Sequence, residues 1–384
     1  MPFQKKYTFP VRKTNAFELL VDGENFFSAM LDSIATAQHF ILLEQYLVAT
    51  SSIGKEFVKA LIAAVQRGVK VYCLFDDYGS RDFNESNRQQ LIHAGIFLCF
   101  YNPIKLKHWQ TALFRDHRKL LLVDNSVGFV GGAGITDDFI TNKDNTAWHD
   151  VVLKIQGTVL CDWQQMFKST WKQTTTIKIN CAEPPTPLPE FKQTGQVLTN
   201  HPWRQEFNRT ILNKMRHASV RIWITSPYFL PSWKLRRRLK HMAKQGIDVR
   251  LLLPGNLSDH PWVTQAVRRF YTNFLKHKIR IYEYQPRFTH TKIILCDHWL
   301  SIGSSNLDRW NQRWNLDANQ AVDDYTFAEV VKELFINDFK QSKEIKYSEW
   351  MLRPWWQRWH ESYAGYLVLL LEKISRLMPK RRNH

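Results

Sequence analysis

Two stretches of this sequence share one unusual pattern: HRKLLLVDNSVGFVGG at residues 117–132 and HTKIILCDHWLSIGSSN at residues 290–306. Each begins with His-x-Lys, runs through four residues to Asp, and reaches a second apolar run that ends in small residues. Apolar runs joined by Asp and a polar residue are typical of two strands connected by a tight turn. The small residues let backbone N–H groups approach an anion such as phosphate.

The flanking sequence is duplicated as well. A helical pattern leading into an apolar strand occupies residues 28–48 and again residues 211–230. A second helix then ends at Gly68 in one copy and at Gly246 in the other, where a positive φ favours glycine. His290 follows His117 by 173 residues, and Gly246 follows Gly68 by 178. This internal repeat, with strands alternating with helices, predicts an α/β protein with largely parallel sheets.

Four segments follow from the repeat. We expect a first half at residues 1–185, a Pro-rich linker at 186–198, a second half at 199–345 and a tail at 346–384. The tail has no counterpart in the first half. It mixes tryptophan and tyrosine with basic residues and an apolar stripe, which is typical of an amphipathic helix at a membrane surface. A C-terminal helix docked on the core is the alternative.

Composition limits the partners. The 384 residues carry a formal net charge of +18 and 14% aromatic residues, so the chain is not a disordered basic protein. A positive excess of this size predicts a polyanionic partner, namely nucleic acid, an anionic bilayer or a phosphorylated substrate. The five cysteines form no C-x-x-C pair, which argues against zinc clusters and a disulfide framework.

Neither the N-terminus nor any other stretch has the apolar length of a signal peptide or a spanning helix, so we expect a soluble chain that lies on a membrane. A second basic amphipathic segment, residues 233–244, is predicted either to contact an anionic surface through Trp233, Leu235, Leu239 and Met242 or to form an ordinary solvated helix over the sheet.

The paired motifs indicate phosphodiester chemistry. An imidazole near neutral pH serves as a nucleophile or as a proton donor to a leaving alcohol, and His117 and His290 supply one of each. Lys119 and Lys292 would stabilise the additional negative charge of the transition state. One copy of His-x-Lys alone would indicate little more than a polar strand surface; two copies at equivalent places in a repeat reverse that judgement.

On these residues the sequence resembles the phospholipase D superfamily with its paired H-x-K-x4-D motifs, and within it the bacterial cardiolipin synthases that lack N-terminal transmembrane helices. The resemblance extends over about residues 15–340 and includes ITSPYFLP, GSSNLD and NLDAN. It implies two tandem, pseudo-twofold-related α/β/α sandwich halves with one active site at their interface. It also implies phosphatidyl transfer through a phosphatidyl-histidine, with His117 as nucleophile, His290 as acid and no metal or organic cofactor.

The resemblance further implies an orienting carboxylate downstream of each motif histidine, matched here by Asp150 and Asp317, the second in place of the usual Glu. Asp124 and Asp297 complete the motifs, and we expect them to hold the scaffold rather than to join the chemistry. Gly134 stands where relatives have an Asn that Asn306 retains in the second half. The one-residue shorter spacing from Asp297 to Gly303 predicts a tighter hairpin. The predicted phosphate- and substrate-binding residues are Gly132, Ser304, Asn306, Tyr46 and Tyr228.

The resemblance therefore implies the activity of a cardiolipin synthase, and we expect the chain to lie on the cytoplasmic side of the bacterial inner membrane. Phosphatidylglycerol is the expected acceptor, and phosphatidylglycerol or phosphatidylethanolamine the donor; no nucleic acid is required. A nucleic-acid phosphodiesterase of the same superfamily and a non-catalytic lipid-binding protein are the alternatives. One chain supplies both half-sites, so catalysis needs no dimer, and the oligomeric state stays open.

Overall fold

A computed structural model describes residues 9–104, 112–141, 147–181, 190–200, 206–308 and 311–355. The secondary structure repeats along the chain as the sequence repeats. The strands are β1 (Arg12–Val21), β2 (Phe40–Gln45), β3 (Lys70–Asp76), β4 (Phe97–Tyr101), β5 (Arg115–Asp116), β6 (Leu120–Val123), β7 (Val127–Gly131), β8 (Val151–Gly157), β9 (Gln193–Asn200), β10 (Arg221–Thr225), β11 (Asp248–Pro254), β12 (Arg280–Tyr284), β13 (Ile293–Cys296), β14 (Trp299–Gly303), β15 (Asn315–Asp323) and β16 (Ser342–Ile345). The α-helices are α1 (Gly23–Thr36), α2 (Ser52–Gln66), α3 (Glu85–His93), α4 (Leu160–Thr174), α5 (Glu206–His217), α6 (Trp233–Lys244), α7 (Pro261–Arg268), α8 (Tyr271–Lys276), α9 (Asn311–Trp314), α10 (Tyr325–Lys340) and α11 (Tyr347–Met351).

One sheet runs through both halves, in the order β16-β12-β11-β10-β13-β14-β15-β9-β1-β8-β7-β6-β2-β3-β4. Apart from the edge strand β16, this order reads the same from either end once each strand is exchanged for its repeat equivalent. The pseudo-twofold axis therefore passes between β1 and β9, which pair antiparallel. The predicted α/β architecture of two related halves is confirmed, and the halves share a continuous sheet.

The sheet is mixed, so the expectation of largely parallel strands is wrong. Parallel pairing is confined to β2-β3-β4, to β10-β11-β12 and to the short β5-β15 ladder. The motif strands instead form antiparallel hairpins, β6-β7 and β13-β14. Asp124, Asn125 and Asp297 have positive φ values of 50–54°, the left-handed conformation that tight hairpins require. The second connection has two residues against three in the first, which is the tighter hairpin that the spacing predicts.

Helices cover both faces of the sheet. On one face α4 and α10 pack into an apolar core common to both halves, in which Trp163 donates from Nε1 to Gln320 Oε1 at 2.8 Å. On the other face each half has its own core, beneath α1 and α2 in the first and beneath α5 to α8 in the second. Gly68 and Gly246 follow α2 and α6 with φ of 91° and 90°, as predicted.

Two predicted boundaries need correction. Residues 193–198, assigned to the linker, belong to β9, the counterpart of β1, because they complete the sheet between β1 and β15. Residues 182–189 lie outside the described part. The start of the predicted membrane tail docks on the second half: Trp350 is buried, its ring centroid lies 4.9 Å from that of Tyr271, and its Nε1 donates to Thr272 at 3.2 Å. Residues 356–384, the rest of that tail, are also outside the described residues.

Candidate active site

Short backbone pairings across the interface bring the two motifs together. The Arg115–Asp116 strand β5 pairs with Asn315 and Leu316 of β15, and the His117 N–H donates to the Leu316 carbonyl at 2.9 Å. At the symmetry-related place, the His290 N–H donates to the His149 carbonyl at 2.7 Å. Each His-x-Lys segment thus lies just before its motif strand, in extended chain fixed by the other half.

Because of this pairing, each orienting carboxylate contacts the motif histidine of the opposite half. His117 Nδ1 is 2.8 Å from Asp317 Oδ1, and His290 Nδ1 is 2.7 Å from Asp150 Oδ2. Both carboxylates predicted from the sequence lie beside a motif histidine, but each lies beside the histidine of the opposite half rather than the one that precedes it in its own half. Because each carboxylate accepts from Nδ1–H, the lone pair of each neutral imidazole lies on Nε2, and at His290 the Lys292 Nζ lies 3.0 Å from that atom.

Asp317 reaches its histidine despite being shorter than the Glu that the family resemblance led us to expect there. Its 2.8 Å contact is as short as the one that Asp150 makes. Ser304 Oγ also donates to Asp317 Oδ1, at 2.8 Å, and so fixes the carboxylate. The backbone position of β15 therefore compensates for the missing methylene, and Ser304 acts on the carboxylate in this structure.

The two lysines are buried beside the histidines that they follow. Lys119 Nζ donates to the His117 carbonyl and Lys292 Nζ to the His290 carbonyl, both at 2.7 Å. Burial and repulsion from Lys292 lower the pKa of Lys119 to about 7, and burial lowers the pKa of Lys292 to about 8. Two ammonium groups so close in a dry site favour the arrival of an anion, which would restore the charged form of both.

Both histidines are held neutral. Burial, and then the positive charge of Lys119, lowers the pKa of His117 to about 4 in spite of Asp317. Burial and Lys292 lower the pKa of His290 in the same way. A neutral imidazole whose Nδ1–H is held by a carboxylate has a free lone pair on Nε2, which is the form needed for nucleophilic attack.

Asn306 is placed as a candidate phosphate donor. Its side chain is 1% exposed, and its amide nitrogen and oxygen have no hydrogen-bond partner within the described ranges. A buried unpaired amide is unfavourable unless a ligand completes it. The first half cannot house an equivalent side chain, because a Cβ on Gly134 would lie 2.7 Å from Leu47 Cβ and 2.9 Å from the Leu47 carbonyl oxygen.

Gly132 is required by the neighbouring carboxylate. A Cβ there would lie 2.5 Å from Asp150 Oδ2, the atom that contacts His290. Gly132→Ala is therefore expected to displace Asp150 and to lower kcat about 10- to 100-fold, since small misplacements of a catalytic group have effects of this size. Steady-state assays of Gly132→Ala, Asp150→Asn and the double variant check this. The losses should be far from additive, because both changes act through one carboxylate; simple additivity would contradict the assignment.

Asp124 and Asp297 lie away from the histidines, at the turns of the hairpins. Asp124 accepts from the backbone N–H groups of residues 38, 39 and 40 at 2.7–2.8 Å. Asp297 accepts in the same way from residues 219, 220 and 221 at 2.7–3.0 Å, and these bonds lower its pKa. Each aspartate fixes the start of a neighbouring parallel strand, which fits the expected scaffold role.

The two predicted tyrosines are both half-buried and contact different groups. Tyr46 packs its ring edge-on against His117, with centroids 4.8 Å apart, and the Lys119 ammonium lies 5.2 Å from the Tyr46 centroid. Tyr228 donates its hydroxyl to Asp259. Burial raises the pKa of both phenols, so both stay protonated. Phe229, which follows Tyr228, is fully buried in the core of the second half.

Two arginines beside the first motif are not free for substrate. The sequence places Arg115 and Arg118 close to a phosphodiester site, but both are buried and paired. Arg118 lies 2.9 Å from Glu44 and from Asp116, and Arg115 lies 3.4 Å from Asp76. Their charges are neutralised within the protein, so among the residues that the structure describes beside the motifs, Lys119 and Lys292 are the cations available to a substrate.

Several aromatic residues around His290 were missed from the sequence. The Trp148, Phe139 and Phe288 rings lie with centroids 5.3, 5.8 and 6.0 Å from that of His290. They exclude water from the imidazole, consistent with its lowered pKa. Trp148 could have been identified from its place in the WHD segment, two residues before Asp150. Phe139 lies in a segment without a recognisable motif, so the sequence did not indicate it.

His149 forms a buried ionic cluster behind the site. Its Nδ1 lies 2.8 Å from Asp22 and its Nε2 3.4 Å from Asp338, while Arg287 also pairs with Asp22. Although burial opposes the charged form, these hydrogen bonds and charges raise the pKa of His149 to about 9. The imidazolium joins the first half to α10, directly before Asp150 in the chain.

This cluster predicts a pH-dependent stability. The folded-state pKa of His149 lies above its unfolded value of 6.5, so its contribution is fully present below pH 6.5 and is lost as the pH rises through about 9. The loss is on the order of 3 kcal/mol. Denaturant unfolding of wild type and His149→Gln at several pH values isolates it: the wild-type advantage should shrink across this window. An advantage that stays constant to pH 10 would contradict the charged assignment.

Among the described residues, no three His, Cys, Asp or Glu side chains gather as metal ligands. Within the same ranges, no helix is long and apolar enough to cross a membrane.

Comparisons with known proteins agree with this geometry. The family model described as "Cardiolipin synthase, PLD-like domain" matches residues 30–171 and 211–339. The chain is 30% identical to cardiolipin synthase B of Salmonella typhi over 97% of this chain and 92% of that protein. It is 33% identical to a cardiolipin synthase of Alkalihalophilus pseudofirmus over 94% of this chain and 73% of that protein.

Solved structures confirm the fold. A phosphatidylserine synthase from Haemophilus influenzae superposes with a TM-score of 0.68 at 14% identity, covering 97% of this chain and 96% of that one. A polyphosphate kinase from Porphyromonas gingivalis superposes with a TM-score of 0.59 at 16% identity, covering 86% of this chain and 49% of that one. At these identities the likeness concerns architecture alone.

Proposed function

The chain belongs to the cardiolipin synthase family of phospholipase D-like phosphatidyltransferases, and from this we propose that it joins two phospholipids into cardiolipin through a phosphatidyl-histidine. One observation carries the proposal: two neutral histidines, each with its own carboxylate and its own lysine, meet at one interface. Such a pair provides a nucleophile and a proton carrier for two successive displacements at phosphorus.

In the first step, His117 Nε2 attacks the phosphorus of the donor lipid and the bond to the headgroup oxygen breaks. His290 gives its proton to that oxygen, so the headgroup alcohol leaves neutral. The approaching phosphate anion stabilises the imidazolium form of His290 that this step needs, while Asp150 holds its orientation. The assignment of His117 as nucleophile follows the order usual in the superfamily.

In the second step, a glycerol hydroxyl of phosphatidylglycerol attacks the phosphatidyl-histidine. His290 now accepts the hydroxyl proton, the new phosphorus–oxygen bond forms and the bond to His117 Nε2 breaks. Phosphatidylglycerol as donor releases glycerol, and phosphatidylethanolamine would release ethanolamine. In this proposal the buried side chains of Lys119, Lys292 and Asn306 stabilise the negative charge that develops at the phosphate in both steps.

The protein would act as a peripheral protein on the cytoplasmic side of the bacterial inner membrane. An anionic phospholipid surface supplies both substrates and the counter-charge for a chain of net charge +18. The acceptor in this proposal is phosphatidylglycerol, which is consistent with relatives that are named cardiolipin synthases.

Expression in bacterial cells that lack cardiolipin, followed by lipid analysis, tests the function. Well-expressed wild-type protein should restore cardiolipin, and purified protein should convert phosphatidylglycerol vesicles to cardiolipin and glycerol. Absence of cardiolipin from both would refute the proposal. Plasmid DNA incubated with the same protein should stay intact; cleavage lost with His117→Ala would favour a nuclease instead.

A further inference from the structure

Exposed apolar side chains border the active site on the second half. Leu257 and Trp262, after β11, are each 52% exposed. Between them Asp259 accepts from the Tyr228 hydroxyl, and its charge opposes the fall in the pKa of Lys292. The ring centroids of Tyr228 and His260 are 5.7 Å apart, and those of His260 and the exposed Trp262 are 6.4 Å apart. This series connects the lysine of the site to the protein surface.

Helix α6 adds a tryptophan and a basic surface beside this loop. Trp233 is 59% exposed, and the Arg237 guanidinium lies 5.3 Å from its ring centroid. Arg236 lies over Phe270, so α6 lies next to the end of α7. The residues predicted to share a contact face with Trp233 are buried in the core instead: Leu235, Leu239 and Met242. Only Trp233 and the basic residues of α6 face outward.

The first half contributes an equivalent pair. Tyr78 follows β3, the repeat equivalent of β11, and is 44% exposed with Arg81 lying 5.0 Å from its ring centroid. Its loop packs against Tyr46 so closely that a Cβ on Gly79 would lie 2.2 Å from the Tyr46 carbonyl oxygen. Since Tyr46 contacts His117, the loop that carries Tyr78 lies next to the first motif of the same site.

We propose that these side chains form a rim that docks the active site onto an anionic phospholipid bilayer. The rim consists of Tyr78, Arg81, Trp233, Arg237, Leu257 and Trp262. Aromatic rings insert at the level of the lipid headgroups while arginine side chains meet the phosphates, and isolated exposed Leu and Trp side chains gain from leaving water there. The rim surrounds the site from both halves, so docking presents the histidines to the headgroup layer that contains both substrates. The inference rests on the proposed function, which makes the substrates lipids.

The test compares the full-length Trp233→Ala/Trp262→Ala variant with a matched control, Tyr325→Ala. Tyr325 is 72% exposed but lies at the other end of the strands from His290, since the neighbouring Asp324 N–H donates to the His298 carbonyl in the turn after β13. Binding is measured by co-sedimentation with vesicles of equal parts phosphatidylglycerol and phosphatidylcholine. The rim variant should bind about ten-fold more weakly or worse, and Tyr325→Ala like wild type.

Activity distinguishes docking from damage to the site. For the rim variant, KM for vesicle lipid should rise with kcat unchanged, and turnover of monomeric short-chain phosphatidylglycerol should equal that of wild type. Wild-type vesicle binding by the rim variant, or an equal loss in Tyr325→Ala, would overturn the rim. If wild type bound vesicles more tightly than the rim variant but made no cardiolipin, the docking proposal would hold and the proposed function would be refuted.

Discussion

Alanine at either His117 or His290 is expected to reduce cardiolipin formation by at least ~10³-fold, because each histidine is the sole proton carrier or nucleophile for both steps. Purified variants, assayed on phosphatidylglycerol vesicles with product quantified by mass spectrometry, check the expectation. His39→Ala, which removes an exposed imidazole at the far end of β2, is the matched control and should behave as wild type. Near-normal turnover by either motif variant would refute the two-histidine mechanism.

The same variants separate the two roles. A phosphatidyl ester of a good leaving group, such as 4-nitrophenol, needs little protonation of the departing oxygen. If His290 is the acid, His290→Ala should release nitrophenolate in a stoichiometric burst while His117→Ala releases none. Detection of a phosphatidyl group on His117 by peptide mass spectrometry would identify the nucleophile directly. The reverse pattern would exchange the two roles without affecting the rest of the mechanism.

Asn at either orienting carboxylate is the second large expected effect. Asp317→Asn and Asp150→Asn should each lower kcat by about 10²- to 10⁴-fold, because an amide no longer fixes the productive tautomer of the imidazole or stabilises its charged form. Asp317→Asn acts on His117 and Asp150→Asn on His290, through the 2.8 Å and 2.7 Å contacts. Thermal unfolding of the same preparations shows whether the loss arises in the site.

The crossed arrangement makes this prediction diagnostic. With the nitrophenyl ester, Asp150→Asn should respond like His290→Ala, and Asp317→Asn like His117→Ala. That grouping holds whichever histidine is the nucleophile, since it depends only on which carboxylate serves which ring. If Asp150→Asn instead grouped with His117→Ala, each half would be self-contained and the crossing would be wrong.

Much of the fold was predictable because the internal repeat is marked by short local sequence patterns. The glycines after α2 and α6, the Asp residues at the hairpin turns and the spacing between them depend on backbone geometry of a few residues. The mixed sheet was not predicted, because apolar runs such as LLLV do not reveal the direction of the neighbouring strand. The docking of Trp350 likewise depends on Tyr271 and Thr272, which are remote in sequence.

The sequence identifies the residues of the site, but it does not show which of them contact each other. The residue spacing identifies Asp150 and Asp317, yet which ring each one serves is decided by the β5-β15 ladder and the His149 bridge to residue 289. Arg115 and Arg118 appear in sequence as cations beside a phosphate site, and only their buried partners Asp76, Glu44 and Asp116 show that this charge is already balanced. Contacts of this kind depend on the tertiary structure and leave no periodic trace in one sequence.

The crossing of the carboxylates also has an evolutionary consequence. A single ancestral unit would have been incomplete alone and complete as a homodimer, with each copy lending its aspartate to its partner's histidine. Within one chain that exchange is permanent, because the two halves are covalently joined. The copies have since been free to diverge nearby, as Asp116 and Thr289 show at equivalent places before the two motifs. A substitution at either aspartate, by contrast, would alter the histidine of the other half. Selection on each aspartate therefore depends on the function of both halves.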